Sequence, residues 1–152
     1  MSSITRKLAA GDRPTTHPSV GSAALVGAKS AGASLAANLA VLGVATLAGA
    51  DMLVRPDANK PVMQVGVILV AATTLLPLLL ATMLLIPARR WGARGWRALA
   101  VAGLVVGVVS VVMPLGAQAR PGTQLALASM HVITGVAWFL VVRRATARLR
   151  TA

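Results

Sequence analysis

Charged residues are absent from four long stretches of this chain, 31–50, 64–87, 98–116 and 124–142, and collect in the segments between them. Each stretch is long enough to cross a bilayer core of about 30 Å at about 1.5 Å per residue. The pattern predicts an all-α protein, a four-span transmembrane helix bundle running up-down-up-down, over residues 30–144. Residues 1–29 are rich in Ser, Thr, Gly and Pro and lack a sustained helical period, so they read as a disordered N-terminal tail, with His17 solvated in it. Residues 145–152 read as a basic tail.

Each span carries one face that is smaller and more polar than the rest. Lipid gives helices little hydrophobic reason to meet, so close approach rests on small residues and interhelical hydrogen bonds. In the third span Gly103 and Gly107 form a G-x-x-x-G pair, and Ser110 and Pro114 continue that face. The fourth has Gln124, His131, Gly135 and Trp138 on one face with Thr134 alongside; the first has Ser34, Asn38, Ala45 and Gly49. The second has Thr73 and Thr74 ahead of Pro77, which removes a donor from the carbonyl of Thr73 and invites a kink. Gly103, Gly107 and Gly135 are the expected packing positions, within the chain by default and in a homodimer as the alternative.

Composition agrees with a bilayer. Hydrophobic residues make up 57% of the chain and charged residues 12%, against about 25% charged in soluble domains. The net charge of +12 would suggest nucleic acid in a soluble protein. Here the arginines sit at span ends, where they set topology and meet anionic lipid head groups; no nucleic-acid partner is expected. Of the 15 basic residues, all but Arg55, Lys60 and Arg120 lie before the first span, between the second and third, or after the fourth. The positive-inside rule therefore places both termini and the 89–97 loop in the cytoplasm and the protein in the inner (plasma) membrane. Trp91 and Trp96 fit an interfacial aromatic belt. Ala48-Gly49-Ala50 resembles a signal-peptidase site, but the first apolar run exceeds a signal h-region and its basic leader is long, which favours an uncleaved span.

The absence of cysteine removes disulfides, thiol catalysis, iron–sulfur clusters, thiolate zinc sites and quinone-coupled disulfide chemistry together. The absence of glutamate removes the membrane-embedded carboxylate of small multidrug exporters. No ring of charge or carbonyl filter marks a channel. His131 is the only ionisable side chain inside a run, and an intramembrane ionisable group is by default a candidate site. Counted from the outer ends, His131 lies about 10 Å deep, Ser110 about 9 Å, Thr73 about 12 Å and Asn38 about 18 Å. The candidate cluster is His131, Ser110, Thr73, Thr74 and Asn38, with Asp51 at the rim above them and His131 hydrogen-bonded across helices. One histidine makes no metal site alone, and bis-histidine haem would need a second copy of the chain, so no cofactor is expected. A Ser–His pair arises easily by chance in an apolar bundle, so an enzyme is not the favoured reading.

The order of these features resembles an uncharacterised family of small actinobacterial four-helix membrane proteins, filed as a domain of unknown function. Asn38, Gly49-Ala50-Asp51-Met52, Leu75-Leu76-Pro77-Leu78-Leu79, Arg89-Arg90, Ser110 ahead of Pro114, and Met130-His131 followed by Gly135 carry the resemblance, over about residues 31–144. It implies four spans and no activity. Two functional readings stand: a non-enzymatic membrane protein that interacts with lipids or other membrane proteins, and a small transporter or ligand-binding bundle built on the cluster around His131.

Overall fold

The computed structural model describes residues 18–148. Helix α1 (Val20–Leu47) opens on Ser19, whose Oγ accepts the N–H of Ser22 and so caps one of the orphan donors of the first turn. Residues 20–29, expected as tail, are thus the first turns of a 28-residue helix. An apolar-run criterion cannot see these turns, because Lys29 and several small or polar residues interrupt the run. Residues 1–17 and 149–152, with most of the expected tails and His17, lie outside the described residues.

Helix α2 (Val67–Ala88) runs through Pro77 and ends in a short 3₁₀ turn at Arg89–Trp91. Gly92, at φ +57°, takes a backbone conformation that L side chains rarely adopt, and the chain then enters α3 (Gly92–Val109). Helix α3 runs back along α2. Its Trp96 lies against Leu85, and residues from Leu99 to Ser110 face α2 residues from Leu84 to Val70 across a common cavity. The expected 89–97 loop is therefore mostly helix. After α3 the chain bends at Ser110–Val111 into the short α4 (Val112–Gly116). Pro114 explains the bend: it has no N–H for the carbonyl of Ser110, which accepts from Met113 instead. Helix α5 (Pro121–Arg148) closes the chain and takes residues 145–148 into its last turn.

Among the described residues, three helical segments are long and apolar enough to cross a membrane: Val20–Leu47, Val67–Gly116 and Pro121–Arg148. The middle one, at 50 residues, contains α2, α3 and α4 and is long enough for two crossings. Large apolar side chains such as Ile68, Met113 and Leu125 point away from the interior, as a lipid-facing surface requires.

Three strands lie among the helices at the end remote from most of the arginines: β1 (Leu53–Arg55), β2 (Met63–Gln64) and β3 (Gln118–Ala119). They form an antiparallel sheet in the order β2-β1-β3, with Val54 opposite both Met63 and Ala119. The sheet is absent from the sequence reading because two- and three-residue strands carry too few positions to show alternation. Met52, 1% exposed, plugs this end of the interior. Its φ of +52° is unusual for a residue with a side chain, and the Asp51 carboxylate secures the turn by accepting the N–H of Leu53.

The buried residues form two apolar clusters. One, at the arginine-rich end, gathers Ala23, Val26, Leu78, Leu85, Trp96, Trp138 and Val142. The other, under the sheet, gathers Leu42, Met52, Val54, Val65, Val70, Ala126 and Met130.

Candidate functional site

Between the two apolar clusters, three helices meet through one amide. Asn38 is 2% exposed and its Nδ2 donates to Thr74 Oγ1 and to Thr134 Oγ1, both at 2.9 Å. The orientation of the amide follows from its neighbours. Thr134 has already given its hydroxyl proton to the carbonyl of Met130, so it can only accept, and the group facing it must be the NH₂. Asn38 Oδ1 is left buried without a partner. Each helix contributes through a local rule: Asn38 continues the small, buried face of α1 formed by Gly27, Ser30 and Ser34, and Thr74 and Thr134 turn the same way from α2 and α5.

This node adjoins a cavity of about 490 Å³ lined from α1, α2, α3 and α5. Its deep wall is buried: Asn38, Thr74, Leu78, Met130 and Trp138. Its outer wall is made of exposed side chains on α2 and α3, among them Leu80, Leu84 and Val106. The opening therefore lies laterally, between α2 and α3, through the apolar side of the protein. Trp96 packs in the apolar cluster at the arginine-rich end. Its ring is fully buried and its Nε1 donates at 3.1 Å to the carbonyl of Leu85 in the last turn of α2, an oxygen that also accepts the N–H of Arg89. Trp96 was expected at an interface; it is instead a core residue that latches α3 to α2. Trp91, 62% exposed, stays at the surface.

The wall between α3 and α5 is a glycine seam. A Cβ on Gly107 would stand 2.8 Å from Gly135 Cα and 2.9 Å from the carbonyl oxygen of His131, closer than packed atoms allow. A Cβ on Gly103 would enter the Trp138 ring. All three glycines thus face their own chain, and Trp138, whose Nε1 donates to the Leu99 carbonyl at 2.9 Å, pins the helices beside them.

His131, Ser110, Thr73, Thr74 and Asn38 all line the cavity. Only Asn38 and Thr74 are bonded to each other. His131 does not reach across: its Nδ1 lies 2.7 Å from the carbonyl of Leu127, one turn back on its own helix. Ser110 donates to the carbonyl of Gly107, and Thr73 to that of Leu69. In an apolar setting, a backbone carbonyl one turn away is the nearest acceptor for a hydroxyl. Ser110 and His131 consequently form no nucleophile–base pair. Asp51 belongs elsewhere: its carboxylate accepts from Thr123 Oγ1 at 3.0 Å and pairs with Arg120 Nε at 3.2 Å, which ties the sheet end to the start of α5. The Leu53 N–H, then the Thr123 hydroxyl and the Arg120 guanidinium, hold the Asp51 carboxyl below its ordinary value of 3.8, against the opposing effect of burial.

Residues 18–148 match the Family of unknown function (DUF6069). The chain belongs to that family. The match covers α1 through α5 and thus every residue of the cavity. No curated protein and no solved structure matches the chain.

Proposed function

We propose that this member of the family is a four-span integral membrane protein that holds a small apolar molecule in the cavity between α2 and α3. In this reading α1, α2, α3 and α5 each cross the bilayer, the 50-residue middle segment crosses twice by reversing at Gly92, and the arginine-rich end with both termini is cytoplasmic. The observation that carries the ligand reading is the cavity itself. Its volume of about 490 Å³ falls within the range of about 300–1,000 Å³ typical of small-molecule sites, and apolar walls with a few placed polar groups are the usual lining. A lateral mouth suits a ligand that arrives from lipid.

Intact-complex mass spectrometry of protein purified in mild detergent tests this. Ala102 lies on the exposed rim of the mouth, so Ala102→Phe narrows the entrance without disturbing the core. The unsubstituted protein should carry a stoichiometric small-molecule adduct that the variant lacks. Equal adducts on both would refute the cavity as the binding place.

A second reading has its own observation. At the arginine-rich end a groove is lined by Arg97, Arg143 and Phe139, with the Arg143 guanidinium 5.6 Å from the Phe139 ring centre. The described carboxylates, Asp51 and Asp57, lie in the segments at the opposite end. Anionic lipid head groups supply the missing counter-charge, which supports the lipid-interacting role.

A further inference from the structure

From the hydrogen-bond inventory of the cavity we infer that its ligand is an uncharged amphiphile whose polar end is a hydrogen-bond donor, an alcohol, phenol or N–H group, received by Nε2 of His131. The inference rests on the cavity-binding reading above and specifies its chemistry.

The side-chain donors around the cavity are almost all committed. Both N–H groups of Asn38 go to Thr74 and Thr134. The hydroxyl protons of Thr73, Ser110 and Thr134 go to the carbonyls of Leu69, Gly107 and Met130. The indole N–H of Trp138 goes to Leu99. Among the described residues that line the cavity, only the Thr74 hydroxyl keeps an uncommitted proton; the unpartnered Ser34 hydroxyl lies outside the lining. Acceptors, by contrast, stand free. The Leu127 carbonyl can only accept, so His131 Nδ1 carries the proton, and in the neutral ring Nε2 is an open lone pair. That nitrogen has no partner among the described residues and is not among the fully buried unpaired atoms, so it is reachable. Asn38 Oδ1 is a second unpaired acceptor, recessed behind the wall about one helical turn away, since Thr134, its amide's partner, is three residues on from His131.

A cavity of this kind selects by what it lacks. Among the described residues its lining holds no cationic side chain and one free donor, so a carboxylate or phosphate would lose its hydration without replacement. The described lining holds no carboxylate either, so an ammonium group would be buried without a counter-charge. An ether or hydrocarbon would fill the apolar walls and leave His131 Nε2 unpaired. A donor-bearing amphiphile satisfies both walls and acceptor.

The experiment uses the full-length protein in lipid nanodiscs and four matched probes: 4-hexylphenol, its methyl ether, 4-hexylbenzoate and 4-hexylbenzylamine. Binding is measured by titration and intact-complex mass spectrometry. The phenol should bind about tenfold more tightly than the ether, one charge-free hydrogen bond of about 1.4 kcal/mol, and more tightly than either charged probe. In His131→Leu the phenol and ether should bind alike. That variant should remain folded, because the lost bond lies within its own helix, and its melting curve verifies this. A phenol and ether that bind equally to the unsubstituted protein, yet are both excluded by Ala102→Phe, would overturn the donor inference and leave the cavity reading standing. Tightest binding of the benzoate would show Nε2 acting as a donor, and of the amine a cation site; either overturns the inference. Binding of every probe unaffected by Ala102→Phe would overturn the cavity reading itself.

Discussion

Asn38 of the first helix and Thr134 of the last are joined by a side-chain hydrogen bond of 2.9 Å, although 96 residues separate them. The same amide holds Thr74, so one residue fixes the relative depth of three helices. Thr134→Val should leave an Asn38 N–H unpaired and lower stability by about 1 kcal/mol, the scale of interhelical bonds in lipid. Asn38→Leu should cost at least as much, and adding Thr134→Val to it should cost little more. Thermal unfolding in detergent measures the cycle, and additive losses would mean that the two side chains are not coupled.

The glycine seam predicts an asymmetry between two chemically identical substitutions. Gly107→Ala places a methyl group against Gly135 and the His131 carbonyl and should destabilise the protein by about 1–3 kcal/mol through overpacking. Gly43 has open space around it, so Gly43→Ala should be neutral or stabilising by up to about 1 kcal/mol from helix propensity. Equal melting temperatures for the two variants would show that α3 and α5 do not pack on this seam.

Trp96 and Trp91 differ in burial although they are five positions apart in one arginine-rich segment. Trp96→Phe keeps an aromatic ring but loses part of the indole volume and the bond to the Leu85 carbonyl, with an expected loss of at least about 1 kcal/mol. Trp91→Phe should change stability by less than about 0.5 kcal/mol. Hydrogen exchange localises the effect: protection at the α2–α3 turn should fall in the first variant alone.

Asp51 makes the sheet end acid-sensitive. Its folded-state carboxyl is held below 3.8, so its stabilising contribution is complete above that value and is lost as pH falls through the lowered folded-state value. Asp51→Asn should therefore lower the melting temperature at neutral pH and flatten its decline toward about pH 2. An unchanged acid limb in the variant would place the acid-labile group elsewhere.

What the sequence determined by itself was the distribution of charge-free runs, and with it the helical character and the apolar exterior; these depend on composition summed over about twenty neighbouring residues and need no partner. It also marked small residues of α1 and α3 and five polar residues of the cavity lining, Asn38, Thr73, Thr74, Ser110 and His131, because a face is readable from helical period alone. Tertiary structure decided who meets whom. His131 looked like the interhelical hydrogen-bonder because it is the one ionisable group in a run; its own Leu127 carbonyl is nearer. Asn38, deeper and uncharged, became the node because α1 lies between α2 and α5. Depth sets Asp51 at the rim, but it does not contain the partners that the carboxylate takes there, Arg120 and Thr123 at the start of α5. Trp96 reads as interfacial from its arginine neighbours, yet the reversal at Gly92 turns it onto Leu85. Each difference has the same physical cause: a polar group in an apolar interior takes the nearest partner, and nearness across helices is set by rotation and register, which periodicity along a single helix does not contain.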